Sequence, residues 1–341
     1  MKRNAKKLLV AVVFIAVLAV VLVHGKGADA VLRDIREGQT AFLAVAIGLQ
    51  VCKYACQGMA YRCAFASVGS KMGFGEGFKL VFETFFVDTI APSMNVSGEA
   101  LVVSQATKRG DSTGAATAGA LLMQAAVNAG FLVIMVAGFA VLVATVGLQP
   151  GIVALGLAAV VTVGGMVAAM AVAAVRPKLV LKIAAPFLKL ADRVAARFHK
   201  GPFDRTVAQA VDSYASAAGL IESHKAQAVQ AIAWCALGSA GELGCFASVC
   251  LAFNIHVPAA WVCGYVVATL AAMVSIVPQG VGIVEAASIV VFTLFGVHQA
   301  TGLTAIAVYR AFVFWLPFLA GALVMGASKL HRTQSATTPR K

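Results

Sequence analysis

Two apolar stretches of this sequence are interrupted in the same way, Pro92-Ser93-Met94-Asn95-Val96-Ser97-Gly98-Glu99 and Pro278-Gln279-Gly280-Val281-Gly282-Ile283-Val284-Glu285. Each break sets a helix-breaking proline seven residues ahead of a glutamate. In hydrocarbon an unsatisfied backbone group costs several kcal/mol, so a break persists only where protein or a water-filled cavity meets the freed N–H and C=O groups. Breaks at corresponding places in two halves of a chain point to a site built from broken helices. The sequence therefore reads as a membrane protein whose polar business lies near the middle of the bilayer.

Composition agrees. Of 341 residues, 60% are hydrophobic and only 12% charged, against about 25% charge in an ordinary soluble domain. Mean hydropathy is +0.89. The formal net charge of +13 is spread between apolar segments and over the termini. Charge placed in loops sets topology and attracts anionic lipid, so nucleic acid is not the primary partner. The seven cysteines form no CxxC pair and lie in or beside apolar stretches, which assigns them to packing. Met1 to Lys7 followed by Leu8 to Val23 has the basic head and apolar run of a signal peptide; its length favours an uncleaved first span.

The expected fold is all-α, a polytopic helix bundle of about eight hydrophobic segments, with two broken or re-entrant helices related as inverted repeats. The spans read as Leu8–Val23, Thr40–Tyr61, a broken stretch Phe78–Val103, two spans between Asp111 and Arg176 divided at Gln149-Pro150-Gly151, Ala226–Phe253, Pro258–Val277, a second broken stretch Pro278–Phe295, and Thr301–Ala327. Residues 1–330 form one membrane domain and 331–341 a disordered tail. Residues 176–225 alternate cations such as Lys182 and Arg193 with apolar Phe187 and Leu190, which predicts a basic amphipathic insertion on the inner leaflet or a solvated connector. Lys2, Arg3, Lys6 and Lys7 at one end, Lys329 and Arg332 at the other, predict both termini in the cytoplasm.

Ionisable residues at membrane depth mark function or a partner. Here they are Lys53, Glu83, Asp88, Glu99, Glu242, Glu285 and Arg310. Arg310 lies inside the last apolar run and requires a carboxylate, a phosphate or carbonyl groups; Glu285 and Glu99 are the candidate carboxylates. Either it locks helices together as a buried ion pair, or its planar fork grips a lipid phosphate. Helix N-termini after Pro92 and Pro278 are expected to offer the same anion their positive ends and free N–H groups, with Gly280 and Gly282 permitting close backbone approach. The candidate lipid-binding set is Pro92, Glu99, Pro278, Gly280, Gly282, Glu285, Tyr309 and Arg310. No catalytic residue, metal ligand or cofactor is assigned. His24, His256 and His298 fall near span ends, and Ser93, Ser97 and Ser288 have no His and Asp arrangement around them. Clusters such as Phe82, Phe85 and Phe86 suit packing and lipid contact.

The stretch Val277 to Glu285, followed by Leu294-Phe295-Gly296-Val297, Tyr309-Arg310 and Phe314-Trp315-Leu316-Pro317, resembles the C-terminal signature of the lysylphosphatidylglycerol synthase transmembrane region, or flippase-like, family. Ala91-Pro92 to Gly98-Glu99, with Lys108-Arg109-Gly110 downstream, resembles its N-terminal signature, although Val102 and Val103 stand where that family often carries an arginine. The resemblance implies a membrane protein that translocates or handles phospholipid, in some members an aminoacylated phosphatidylglycerol that blunts cationic antimicrobial peptides, with membrane phospholipids and a separately encoded lipid synthase as partners. Bifunctional members add a soluble domain that transfers lysine from lysyl-tRNA. The longest polar stretch here, about 50 residues, is too small for such a domain. A flippase is therefore the first expectation, a phosphatidylglycerol lysyltransferase or its membrane subunit the second, and a secondary transporter of a small solute the third.

Overall fold

The computed structural model describes residues 39–91, 96–147, 150–175, 224–275 and 278–337. The expected first span, the break residues Pro92 to Asn95 and nearly all of the basic insertion lie outside them. The described elements are α1 (Thr40–Ser67), α2 (Phe74–Ile90), α3 (Val96–Arg109), α4 (Thr113–Val146), α5 (Pro150–Val175), α6 (Lys225–Ala252), α7 (Pro258–Val274), a 3-10 turn (Pro278–Gly280), α8 (Ile283–Leu294), α9 (Gln299–Arg310), a π-turn (Ala311–Trp315) and α10 (Leu316–Thr337). There is no strand among the described residues, and the protein is an all-helical, multi-pass membrane protein. Among the described residues, four stretches are long and apolar enough to cross a bilayer: Thr40–Ser67, Thr113–Ala144, Lys225–Ala252 and Gln299–Gly326.

The helices start and stop for local reasons. Ser112 accepts the Ala115 N–H and opens α4, Pro258 stands at the start of α7, and His298 Nδ1 accepts the Ala300 N–H to open α9. Gly147, at φ 86, ends α4 shortly before Pro150 starts α5.

Element lengths repeat along the chain. α1 and α6 each have 28 residues and α2 and α7 each have 17, while α3 has 14 and α8 has 12. In each repeat the two short helices fold back on each other. Asp88 meets Gly98, Glu83 meets Gln105 and Glu76 meets Arg109, pairs that move outward together from the break, so α2 and α3 form an antiparallel hairpin, hairpin A. In hairpin B, built from α7 and α8, Ala271 packs with Val284 near the break and Gly264 lies against Phe292 further out.

The two repeats are inverted. Gln39 bonds to Ala252, Lys53 pairs with Glu242, and Cys63 lies opposite Gln230, so the corresponding helices α1 and α6 run antiparallel. Packing between repeats is reciprocal: the last long helix lies on hairpin A through Phe318 against Phe86, and α4 lies on hairpin B through Phe131 against Tyr265. Because lipid tails are as apolar as leucine, such contacts depend on close approach and van der Waals packing. At the α4–α6 crossing a Cβ on Gly130 would sit 2.5 Å from the Ala236 nitrogen, so only glycine lets these two backbones meet. Two cores result, one around Phe65, Leu80 and Phe82, the other around Phe246, Tyr265 and Phe292.

Several boundaries differ from the sequence reading. α1 continues past Tyr61 to Ser67, α2 starts at Phe74 and α3 ends at Arg109, both outside the expected Phe78–Val103, and α10 runs to Thr337. The span expected over Thr301–Ala327 starts at Gln299 and changes phase at a π-turn.

Candidate functional site

A cavity of about 480 Å³ lies between the tips of the two hairpins. Asp88, Gly98 and Glu99 line it from hairpin A, Gln279 and Val284 from hairpin B, and Tyr309 and Arg310 from the end of α9. Lys53 of α1 and Glu242 of α6 reach it from the antiparallel pair between the repeats. The described parts of the two breaks thus line one cavity.

Each hairpin tip neutralises its own helix start. In hairpin A the Gly98 N–H, in the first turn of α3, donates to Asp88 Oδ1 at 2.6 Å. In hairpin B the Gly282 N–H donates to Glu285 Oε2 at 2.6 Å, the reverse half of a capping box. One N–H at each start is thus already engaged, where the sequence reading expected free N–H groups for a bound anion. A carboxylate near a helix start is favourable, and the chain supplies its own.

Gly280 and Gly282 shape the turn. Gln279, Gly280 and Gly282 have φ of 50, 64 and 86, a left-handed path that glycine follows without a Cβ penalty. A Cβ on Gly280 would also meet Val284 Cγ2 at 2.7 Å and the Ala272 Cα at 3.0 Å. Pro278 opens the 3-10 turn, while Pro92 lies outside the described residues.

Of the two carboxylates considered for Arg310, the fold selects Glu285. Arg310 Nε donates to Glu285 Oε1 at 2.9 Å, and the guanidinium carbon stands 4.8 Å from the centre of the Phe314 ring. Glu99 instead shares the hairpin A tip with Asp88. The Arg310 side chain is only 8% exposed, and its Nη2 is buried with no hydrogen-bond partner among the described residues.

Charge around the cavity does not cancel. Lys53 Nζ pairs with Glu242 Oε1 at 2.6 Å, and Tyr265 donates to Glu242 Oε2 at 3.4 Å. Arg310 is matched by Glu285. Asp88 and Glu99 have no cation partner among the described residues, so the site carries two surplus carboxylates. Tyr309 is buried and packs edge-on against Phe246 at 4.8 Å, giving the cavity a rigid aromatic wall.

Sequence reasoning listed Lys53, Asp88 and Glu242 as ionisable groups without placing them at the site. Tyr54, Gln279 and Gln124 were not singled out, because a polar side chain in an apolar run carries no sign of which neighbours it will face. The other candidates are elsewhere: His298 caps α9, His256 is exposed in the α6–α7 turn, and all seven cysteines are unpaired.

Two inverted repeats, each with a hairpin that reaches a shared cavity, define the class: a helical, multi-pass membrane protein. The family follows from the sequence as a whole: the chain belongs to the lysylphosphatidylglycerol synthase TM region family, whose model matches residues 8–321. No curated protein matches the sequence.

Proposed function

We propose that this protein is a flippase-like lipid transporter of the cytoplasmic membrane that translocates or handles an anionic or aminoacylated phospholipid, with the head group in the cavity between the hairpins. The observation that carries the reading is Arg310, a buried cation that lines a cavity large enough for a head group and whose Nη2 has no partner among the described residues. About 480 Å³ falls within the usual 300–1,000 Å³ of small-molecule sites. A phosphate suits a guanidinium fork, which can donate to two of its oxygens. Asp88 and Glu99 would receive an amino group when the lipid carries one.

Closeness to the hydrocarbon favours a lipid over a free solute. Met166 of α5 lines the cavity, and that same helix exposes Val153, Leu157 and Val161 on its outward face, so a wall one helix thick separates the polar space from surrounding lipid. Acyl chains could stay in hydrocarbon while the head group enters. With both termini in the cytoplasm, the turn between α6 and α7 would face outside.

The surplus carboxylates favour a second reading, a secondary transporter using Asp88 or Glu99 as a coupling group. Reconstitution separates the two. Labelled anionic, aminoacylated and zwitterionic lipids are incorporated in vesicles and their exposure is followed with and without the protein. Protein-dependent movement that small head-group analogues fail to block at millimolar concentration supports lipid transport. Absence of movement for every lipid contradicts it.

A further inference from the structure

The helical stretch made by α9 and α10 changes phase at one place, the π-turn Ala311–Trp315 that directly follows Arg310. A π-turn fits an extra residue into a helical turn, upsets the regular carbonyl ladder, and is frequent at functional sites. The corresponding helix of the first repeat, α4, runs for 34 residues as regular α-helix. The irregularity is thus particular to the arginine-bearing side.

A residue from the other repeat holds it. The Tyr54 hydroxyl of α1 donates to the Phe312 carbonyl, inside the π-turn, at 3.1 Å. Gln50 Nε2 donates to that hydroxyl oxygen at 2.7 Å. A phenol has a single proton, so with Gln50 donating to the oxygen, the proton goes to Phe312. Tyr54 and Gln50 are 3% and 1% exposed, which keeps water from substituting for either contact.

The extra residue lets one helix present two faces. Before the turn, Tyr309 and Arg310 line the cavity. After it, Phe314 and Phe318 pack on Phe85 and Phe86 of hairpin A at 6.1 and 5.2 Å, and Gly321 lies against the Phe82 backbone. Closing the turn to regular α-helix would rotate one part against the other by about 100°, the advance of one residue. Phe314 is also the ring beneath the Arg310 guanidinium, so the π-turn builds one wall of the arginine's own socket.

We infer that Tyr54 is a positioning residue for Arg310: its hydroxyl fixes the π-turn and so holds the Arg310 guanidinium in its place beside the cavity. The consequence for transport rests on the head-group reading above; the geometric coupling does not.

Tyr54→Phe tests this, because it retains the ring that packs on Phe82 at 5.1 Å and removes only the hydroxyl. In the first arm, unfolding of the purified protein in detergent is compared for wild type, Tyr54→Phe, Arg310→Lys and the double variant. Coupling predicts that the double variant loses clearly less than the sum of the singles. Strict additivity overturns the inference. In the second arm, vesicles carry labelled phosphatidylglycerol or a labelled uncharged glycolipid. Tyr54→Phe should slow the phospholipid about fivefold, the equivalent of one net hydrogen bond, leave the glycolipid unchanged, and add nothing to Arg310→Lys. Equal slowing of both lipids, or of neither, overturns the positioning role. Should wild type move neither lipid, the transport reading falls and the unfolding cycle alone decides the role of Tyr54.

Discussion

Hairpins A and B have the same topology and opposite fastenings. Hairpin A is tied at its base, where Arg109 bridges Glu76 at the start of α2 and Asp111 before α4, and also donates to Ser70 at 2.9 Å. The equivalent base of hairpin B encloses an open cavity of about 470 Å³, lined by Asn254, His256, Gly296, His298 and Thr301. At the tips the order reverses. Hairpin B is held by the Arg310–Glu285 pair, whereas the Asp88 and Glu99 carboxylates of hairpin A have no cation opposite them among the described residues. One fold, repeated and inverted, therefore carries a hairpin anchored far from the cavity and another anchored at it. The difference indicates that a ligand engaging Arg310 acts directly on the fastening of hairpin B and leaves that of hairpin A untouched.

The largest effect is expected at Arg310. Arg310→Met leaves Glu285 without its cation. Since Glu285 remains 27% exposed, the cost should be about 2–3 kcal/mol, below the roughly 3–5 of a fully buried pair. Hydrogen exchange should rise at residues 278–294 and stay unchanged over α2 and α3. Exchange rising equally in both hairpins would erase the distinction between them.

Next is Gly280→Ala, which puts a Cβ on a left-handed residue and against Val284 and Ala272. About 2 kcal/mol of stability should be lost, read by thermal unfolding. Gly73→Ala at the start of hairpin A meets nothing within 4 Å and should be close to neutral. Arg109→Met comes third. Its partners Glu76 and Asp111 are 35% and 16% exposed, so about 1–2 kcal/mol is expected, with exchange rising at the base of hairpin A alone. The smallest effect belongs to Ser112→Ala, which removes the cap of α4 for about 0.5–1 kcal/mol and should alter neither hairpin's exchange pattern.

The comparison also shows what sequence could carry. Pro92 and Pro278 mark interruptions because proline lacks the N–H of the helical ladder and its ring crowds the preceding turn, and a lone arginine such as Arg310 announces its need for company in an apolar run. Which carboxylate answers it was open in the sequence, since Glu99 and Glu285 stand in equivalent breaks; three-dimensional pairing selects Glu285. The filling of both helix starts by Asp88 and Glu285 was also hidden. It depends on α2 folding back onto α3, and in hairpin B on a tight left-handed turn, neither of which follows from spacing. The π-turn was the least legible feature. One extra residue in a turn changes no composition and no hydropathy, so Gln299 to Gly326 reads as a single span.

The central claim, that Arg310 holds a lipid phosphate in the cavity rather than only fastening hairpin B, is tested most directly by transport of labelled phosphatidylglycerol in vesicles containing wild type, Arg310→Lys or the double variant Arg310→Met/Glu285→Gln. The account predicts that Arg310→Lys keeps the fold and slows transport about tenfold to a hundredfold, as expected for a lost charge-assisted hydrogen bond. It predicts that the double variant recovers stability, because a buried pair is often replaceable by neutral groups, but stays inactive. Full transport by the stable double variant would contradict it.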